Sequence, residues 1–291
     1  MSDLATLDTL VTVVDAGSFM KELTTLETLR NRDWHADPED ERTIAHLLCD
    51  QIEFANVIIM NKCDLVDPEQ KGTIKSLLQK FNPTAKIIES IKGRVPPKAI
   101  LGTKLFSMSD AEKHEHWLKE ARIGEHVPET VEYGISSFTF RSLRPMHPLR
   151  FKKALDQMAS HTGPFKNLLR AKGFSWIASN NDVQAVFAHA GQSCNLTPGP
   201  AWWASINKDM WPEGLEHDII PLWHEPYGDR QQELVMIGQH LDVAEMEDAL
   251  LRCVLTDEEF EMGPEVWEKY EDPFRDSWDA FLMGDHHDHD H

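Results

Sequence analysis

Val57-Ile58-Ile59-Met60-Asn61-Lys62-Cys63-Asp64 is the stretch whose reading decides the fold. An apolar run rich in isoleucine passes directly into a polar tetrad. A short β-branched run of this kind predicts a strand buried on both faces, as in a parallel sheet. The tetrad then stands at the strand's carboxyl end, where open α/β sheets bind ligands.

The chemistry of the tetrad points the same way. Asn-Lys-x-Asp is the pattern that reads guanine at the end of such a strand. A carboxylate at Asp64 can accept two hydrogen bonds, from guanine's ring N–H and its exocyclic amine. Adenine offers no such donor pair. The alkyl stem of Lys62 can lie over a flat base, and Asn61 can brace neighbouring loops. The other reading is a polar turn after a strand, since four residues recur by chance.

Working outward, Leu10-Val11-Thr12-Val13-Val14 predicts a second buried strand ending at Asp15-Ala16. Asp37-Pro38-Glu39-Asp40 predicts a helix start, with Asp37 as cap and Pro38 in the first turn. Its apolar face would be Ile44, Leu47, Leu48, Ile52 and Ala55. Asp67-Pro68-Glu69-Gln70 predicts a second helix, with Ile74, Leu77, Leu78 and Phe81 inward and Asn82-Pro83 as its stop. Lys86-Ile87-Ile88 reads as a third strand. Strand, helix, strand, helix, strand implies right-handed crossovers and a parallel sheet. No G-x-x-x-x-G-K-[S/T] loop, the cradle for nucleotide phosphates, occurs in the chain. The expectation is therefore a partial P-loop-type parallel sheet, the second half of a nucleotide-binding domain with its phosphate-loop half missing.

At 291 residues the chain has room for one large or two ordinary domains. A net charge of −20 argues against nucleic acid as partner and suits attraction of cations. No apolar run approaches the ~20 residues of a membrane span, and no signal-peptide pattern opens the chain. Cys49, Cys63, Cys194 and Cys253 are scattered, which fits a reducing, cytoplasmic setting.

Residues 107–133 turn polar and charged and read as a linker. His114 and His116, two apart, do not share a helix face, so a solvated helix is favoured there over a metal site. Beyond it, Ile135 to Arg141, the latter half of Leu168 to Ala178, Val183 to Ala188 and Leu234 to Gly238 read as strands. A helix follows Arg144-Pro145-Met146-His147-Pro148. Asp242-Val243-Ala244-Glu245 and Thr256-Asp257-Glu258-Glu259 both have the form of capping boxes. Together they predict an α+β domain on a mainly antiparallel sheet. The divisions are 1–106, 107–133, 134–262 and an acidic, histidine-rich tail from 263 to 291. Trp202, Trp203 and Trp211 read as packing rather than as a stacking platform. In the tail, His286, His287, His289 and His291, interleaved with aspartates, are ligands of the zinc-binding type. An expression tag is the competing reading of that tail.

These stretches carry a family resemblance. Leu7 to Ala16, Asn61-Lys62-Cys63-Asp64 and Asn82-Pro83-Thr84-Ala85 resemble the CobW-type GTPases. So do Arg144 to Arg150, Leu169 to Ala178 and Arg230 to Gly238, which resemble that family's C-terminal domain. The resemblance covers nearly the whole chain. It implies a GTP-binding domain, using GTP with Mg²⁺ in the complete family domain, followed by an α+β CobW C-terminal domain. It also implies GTP-dependent delivery of zinc or a related divalent metal to client metalloproteins. Of the family's functional residues, only Asn61, Lys62 and Asp64 carry over, with Ser90 placed near the base. The family's phosphate loop, Mg²⁺ and switch acids and C-x-C-C metal motif find no counterpart here, so the chain is expected to be inactive as a GTPase alone. The alternative function is a non-catalytic metal- or client-binding module that retains the CobW C-terminal domain.

Overall fold

The computed structural model describes residues 6–25, 27–29, 31, 43–108, 133–212, 214 and 216–284. The first unit contains β1 (Val11–Asp15), α1 (Phe19–Leu23), α2 (Ile44–Glu53), β2 (Val57–Asn61), α3 (Pro68–Phe81) and β3 (Lys86–Glu89). The strands form a parallel sheet in the order β1-β2-β3, with Val11 opposite Val57 and Val57 opposite Lys86. Val57 to Met60 are all buried, as the apolar run requires. The register sets Asp15 beside Asn61, so the polar ends of β1 and β2 share one sheet edge.

The helices show why the chain folds this way locally. Asp67 and Gln70 form a complete capping box at α3, with Pro68 in the first turn. At the far end, the Asn82 amide donates to the carbonyls of Ile52, Glu53 and Ala55 at 2.8–3.0 Å. Those carbonyls lie at the end of α2, where helical partners run out. One residue thus ends α3 and caps α2. The start of α2 differs from the expectation: Thr43, not Asp37, is its cap, and its side chain accepts from His46 N–H. Thr43 has extended backbone, so the helix cannot run back through it; Asp37 and Pro38 lie outside the described residues.

The second unit has β4 (Ile135–Ser142), α4 (Pro148–Ala159), β5 (Leu168–Ile177), β6 (Asn180–Ala190), β7 (Ser193–Ala201), α5 (Glu216–Ile219) and β8 (Gln232–Gln239). Then follow α6 (Val243–Leu251), α7 (Asp257–Glu261), α8 (Pro264–Trp267) and α9 (Arg275–Gly284). Its sheet is antiparallel, ordered β4-β8-β5-β6-β7. The whole of Leu168–Ile177 is strand, where only its latter half reads so in sequence. β7 carries Pro198 and Gly199, which hide it in sequence; as the outer strand it tolerates a residue without an N–H. β5 and β8 approach so closely at Gly173 that a Cβ there would meet the Glu233 carbonyl oxygen at 2.0 Å. Thr256 and Glu259 form a full capping box, whereas at Asp242 the side chain accepts from Glu245 N–H.

The three C-terminal stretches quoted above meet at one buried point. The Gln232 amide donates to the carbonyls of Arg144 and Trp176, each at 2.8 Å, and accepts from Trp176 N–H at 3.0 Å. Beside it, Trp176, Trp202 and Trp267 form a buried aromatic core. Trp267, Phe274 and Trp278, in the stretch read as tail, are also buried. His286, His287, His289 and His291, and His114 and His116, lie outside the described residues.

The two units share a core. One face of the antiparallel sheet packs Phe140, Phe187 and Leu234 with Phe151, Leu155 and Met246 of α4 and α6. The other presents Ile135, Leu169, Ala190 and Ile237 to Cys49 and Ile52 of α2 and Ile74 and Leu78 of α3. β8 is therefore buried continuously from Gln232 to Gly238. Arg170 stands in this joint, only 2% exposed, with its guanidinium forked onto Glu53 at 2.8 and 3.1 Å. Lys172 binds the same carboxylate.

Candidate functional site

The candidate site lies at the carboxyl edge of the parallel sheet. β2 ends at Asn61, and Lys62 follows in left-handed backbone at φ +59°. That kink turns the chain into the short 3₁₀ turn Cys63–Leu65, which carries Asp64. A lysine in this conformation is uncommon and costs a little backbone energy.

Hydrogen bonds tie the turn to loops on both sides. The Asn61 carbonyl accepts from Ala16 N–H at 2.9 Å, joining it to the end of β1. The Asn61 side-chain oxygen accepts from Gly93 N–H at 3.0 Å, joining it to the loop after β3. The Cys63 N–H donates to the Ser90 carbonyl at 3.2 Å, and Ser90 N–H donates to Met60 at 2.8 Å. Ser90 is buried directly beside the motif, with its hydroxyl on the Arg94 carbonyl at 3.3 Å. The Lys62 ammonium lies 2.6 Å from Asp15 Oδ2, so its alkyl stem runs from the end of β2 towards the end of β1. Asp15 also accepts from Gly17 N–H at 2.9 Å, which fixes the carboxylate that holds Lys62.

Asp64 behaves differently. It is exposed and has no hydrogen-bond or ion-pair partner among the described residues. A carboxylate left open on a braced turn is ready to accept a pair of donors. The structure thus gathers Asn61, Lys62 and Asp64 and adds Asp15, Ser90 and Gly93. Asp15 was legible only as a strand end; its role depends on register, which the sequence does not display.

Among the described residues no group of three or more His, Cys, Asp or Glu could hold an ion. Burial pushes the thiols of Cys49 and Cys194 up to about 12 and that of Cys253 to about 11, so none is a thiolate at neutral pH. No described helix is long and apolar enough to cross a membrane. A cavity of about 720 Å³ lies far along the chain, lined by Arg144, Arg150, Leu251, Val254 and Asp257. Two of the three arginines that line it are paired: Arg144 with Asp257, Arg150 with Glu259 at 2.6 Å; Arg252 is the third. Arg150's bond holds the Glu259 carboxyl down at about 2. The cavity therefore offers no free cation for a ligand from these two.

Residues 1–89 match the family described as "CobW/HypB/UreG, nucleotide-binding domain". Residues 135–254 match "Cobalamin synthesis protein cobW C-terminal domain". The chain is 40% identical over 277 residues to the "Zinc-regulated GTPase metalloprotein activator 1" of Dictyostelium discoideum, covering 94% of this chain and 58% of that protein. It is 31% identical over 262 residues to the "Zinc chaperone CobW" of a Sinorhizobium species, covering 86% of this chain and 63% of that one. The chain thus spans about three-fifths of the length of these relatives. A solved structure, the Zn(II)-bound YjiA GTPase from E. coli, is similar at 16% identity and a TM-score of 0.34, over 86% of this chain and 62% of that chain.

Proposed function

Since the chain belongs to the CobW family, matched in both its nucleotide-binding and its C-terminal domain, we propose that it serves GTP-dependent handling of zinc or a related divalent metal for client metalloproteins. One observation supports this most: Asp64 is exposed and has no partner among the described residues, on a turn braced from both flanking loops. In this reading Asp64 accepts the guanine donors, the Lys62 stem covers the ring, and Asn61 keeps the turn in place. The names of the relatives, one a zinc-regulated GTPase metalloprotein activator and one a zinc chaperone, favour zinc as the cargo. The working division of the chain is 1–106, 107–133, 134–262 and 263–291.

The residues fit a base better than they fit a whole nucleotide. Phosphate contacts and Mg²⁺ supply most of the stabilisation in phosphoryl transfer. The described loops at this edge offer backbone and carboxylates but no Gly-Lys-Ser/Thr cradle, and none occurs in the sequence. We expect the 291-residue polypeptide by itself to bind guanine nucleotide weakly and to turn over no GTP. Release of phosphate above a control lacking protein would overturn that.

Base recognition is tested by titrating the whole chain with GTP, ATP and xanthosine triphosphate, following amide shifts of residues 61–65. GTP should move them and ATP should not. Asp64→Asn should shift preference to the xanthine base, because the amide presents a donor where that base offers an acceptor. Equal response to GTP and ATP would remove the assignment.

Cargo binding falls to His286, His287, His289 and His291 in this reading. Neutral imidazole is the ligand form, so Zn²⁺ should bind above histidine's ordinary pKa of about 6.5 and be released below it. Calorimetry with Zn²⁺ on the intact chain and on one ending at Gly284 is the check. Equal stoichiometry and affinity in both would move the metal elsewhere.

A further inference from the structure

The loop after β7 carries a feature that guanine recognition does not use. Trp211 and Trp223 stand with ring centroids 5.6 Å apart at an angle of 59°. The Lys208 ammonium lies 5.8 Å from the first centroid and 4.9 Å from the second. The three points form a nearly equilateral triangle: two indole faces opening on one cation. Trp203 backs Trp211 at 5.9 Å.

The notch is built on a fixed base. The Asp229 carboxylate, buried, accepts from the N–H groups of Trp203 and Ala204 at 3.0 and 2.9 Å. The Trp223 indole N–H donates to Glu225 at 2.9 Å, which orients that ring. Gly228 lets the two sides close, since a Cβ there would come within 2.4 Å of Ala204 and 3.0 Å of Trp223. The indole N–H of Trp211 is buried without an acceptor among the described residues.

Lys208 is exposed and has no carboxylate partner among the described residues, although the chain carries a net charge of −20. It rests on ring faces instead. Ring faces attract cations through the aromatic quadrupole, tryptophan most strongly, and such pairs recognise alkylated ammonium groups. Met210, which directly precedes Trp211 in sequence, is 75% exposed.

We propose that Trp211 and Trp223 form a recognition notch for a lysine side chain of a partner polypeptide, methylated forms included, and that Lys208 occupies it when no partner is bound. The acidic chain draws a basic segment towards it. The arriving ammonium replaces that of Lys208 on the same two faces, so recognition is an exchange of cations rather than the opening of a closed site. This site is on the C-terminal domain and does not depend on the guanine reading.

The test uses the whole chain and short, otherwise neutral peptides carrying one lysine, one trimethyllysine or one norleucine. Binding is followed by tryptophan fluorescence and indole N–H shifts. The lysine and trimethyllysine peptides should bind and the norleucine peptide should not. Lys208→Ala removes the internal competitor and should tighten binding roughly 2- to 30-fold. Trp223→Ala should weaken it by about the same factor; Trp223→Phe, which keeps a ring face, should retain part of it and serves if the alanine variant does not fold. Norleucine binding as well as lysine, no tightening in Lys208→Ala, or no saturable binding to either protein would each overturn the proposal.

Discussion

In the parallel sheet, β2 is buried along Val57 to Met60, while the outer strand β1 leaves Val11 and Val13 38% and 60% exposed. In the antiparallel sheet, β8 is buried from Gln232 to Gly238 because helices cover it on both sides. Part of that cover belongs to the other unit: α2 and α3 lie over Ile135, Leu169, Ala190 and Ile237. The smaller sheet lends helices to the larger one, and among the described residues its β1 edge is unpaired. An open parallel edge is the weaker construction, since its backbone groups await partners. The comparison shows that the second unit's other face is finished by the first unit, and the Glu53 joint is where the two can be separated.

The largest expected effect comes from that joint. Burial alone would raise the Glu53 carboxyl, but Arg170 and Lys172 overcome it and hold the group below its ordinary value. Arg170→Ala leaves a nearly buried carboxylate with Lys172 as its remaining close cation. Breaking a buried pair costs about 3–5 kcal/mol. Urea denaturation should show that loss, with the first unit released at lower urea than the second. A loss under about 1 kcal/mol would mean that apolar contact, not the ion pair, joins the units.

Acid should open the same joint more gradually. Burial, with Arg170 nearby, lowers the His46 imidazole to about 4, and burial lowers His189 to about 3. Both are neutral when folded and ready to take a proton near pH 6.5 when unfolded. The unfolded chain therefore binds more protons below pH 6.5, so stability is full above that value and falls as pH drops towards 4 and then 3. The slope approaches 1.4 kcal/mol per pH unit for each histidine. Glu53, with its lowered carboxyl, adds a loss that begins only below about pH 4.5. Thermal melts of the wild type and His46→Gln from pH 7 to 4 are the check; the variant should show the shallower decline. Parallel curves would place the acid sensitivity away from the joint.

Caps sharpen the comparison with smaller effects. Asp67→Ala removes the α3 cap and Thr256→Ala the α7 cap, each costing about 1 kcal/mol. If the shared core makes the molecule unfold as one, both variants shift the same transition. If the units unfold separately, Asp67→Ala moves only the earlier one. The smallest effect is expected at Asp64→Asn. The side chain is exposed and has no partner among the described residues, so stability should stay within about 0.5 kcal/mol, whereas the proposed guanine reading expects a changed base preference. A larger loss would mark Asp64 as a structural residue of the turn.

Wherever residues act on near neighbours, the sequence by itself determined the outcome. The apolar run at Val57 became a buried parallel strand because β-branched residues without polar alternation cannot face water on either side. Asp67-Pro68-Glu69-Gln70 became a capped helix because cap, proline and return bond lie within four residues of one another. Asn61, Lys62 and Asp64 fell on one turn because they are consecutive to a strand end. Tertiary structure decided the rest. β7 formed despite Pro198 because it lies at the sheet's edge. Asp15 became the anchor of Lys62 only through the parallel register. Arg170 and Lys172 read as ordinary charges within a strand until α2 places Glu53, more than a hundred residues earlier, against them. Local pattern fixes what a segment forms; long-range packing fixes which polar groups lose water together, and a buried charge must then find its partner wherever the fold brings one.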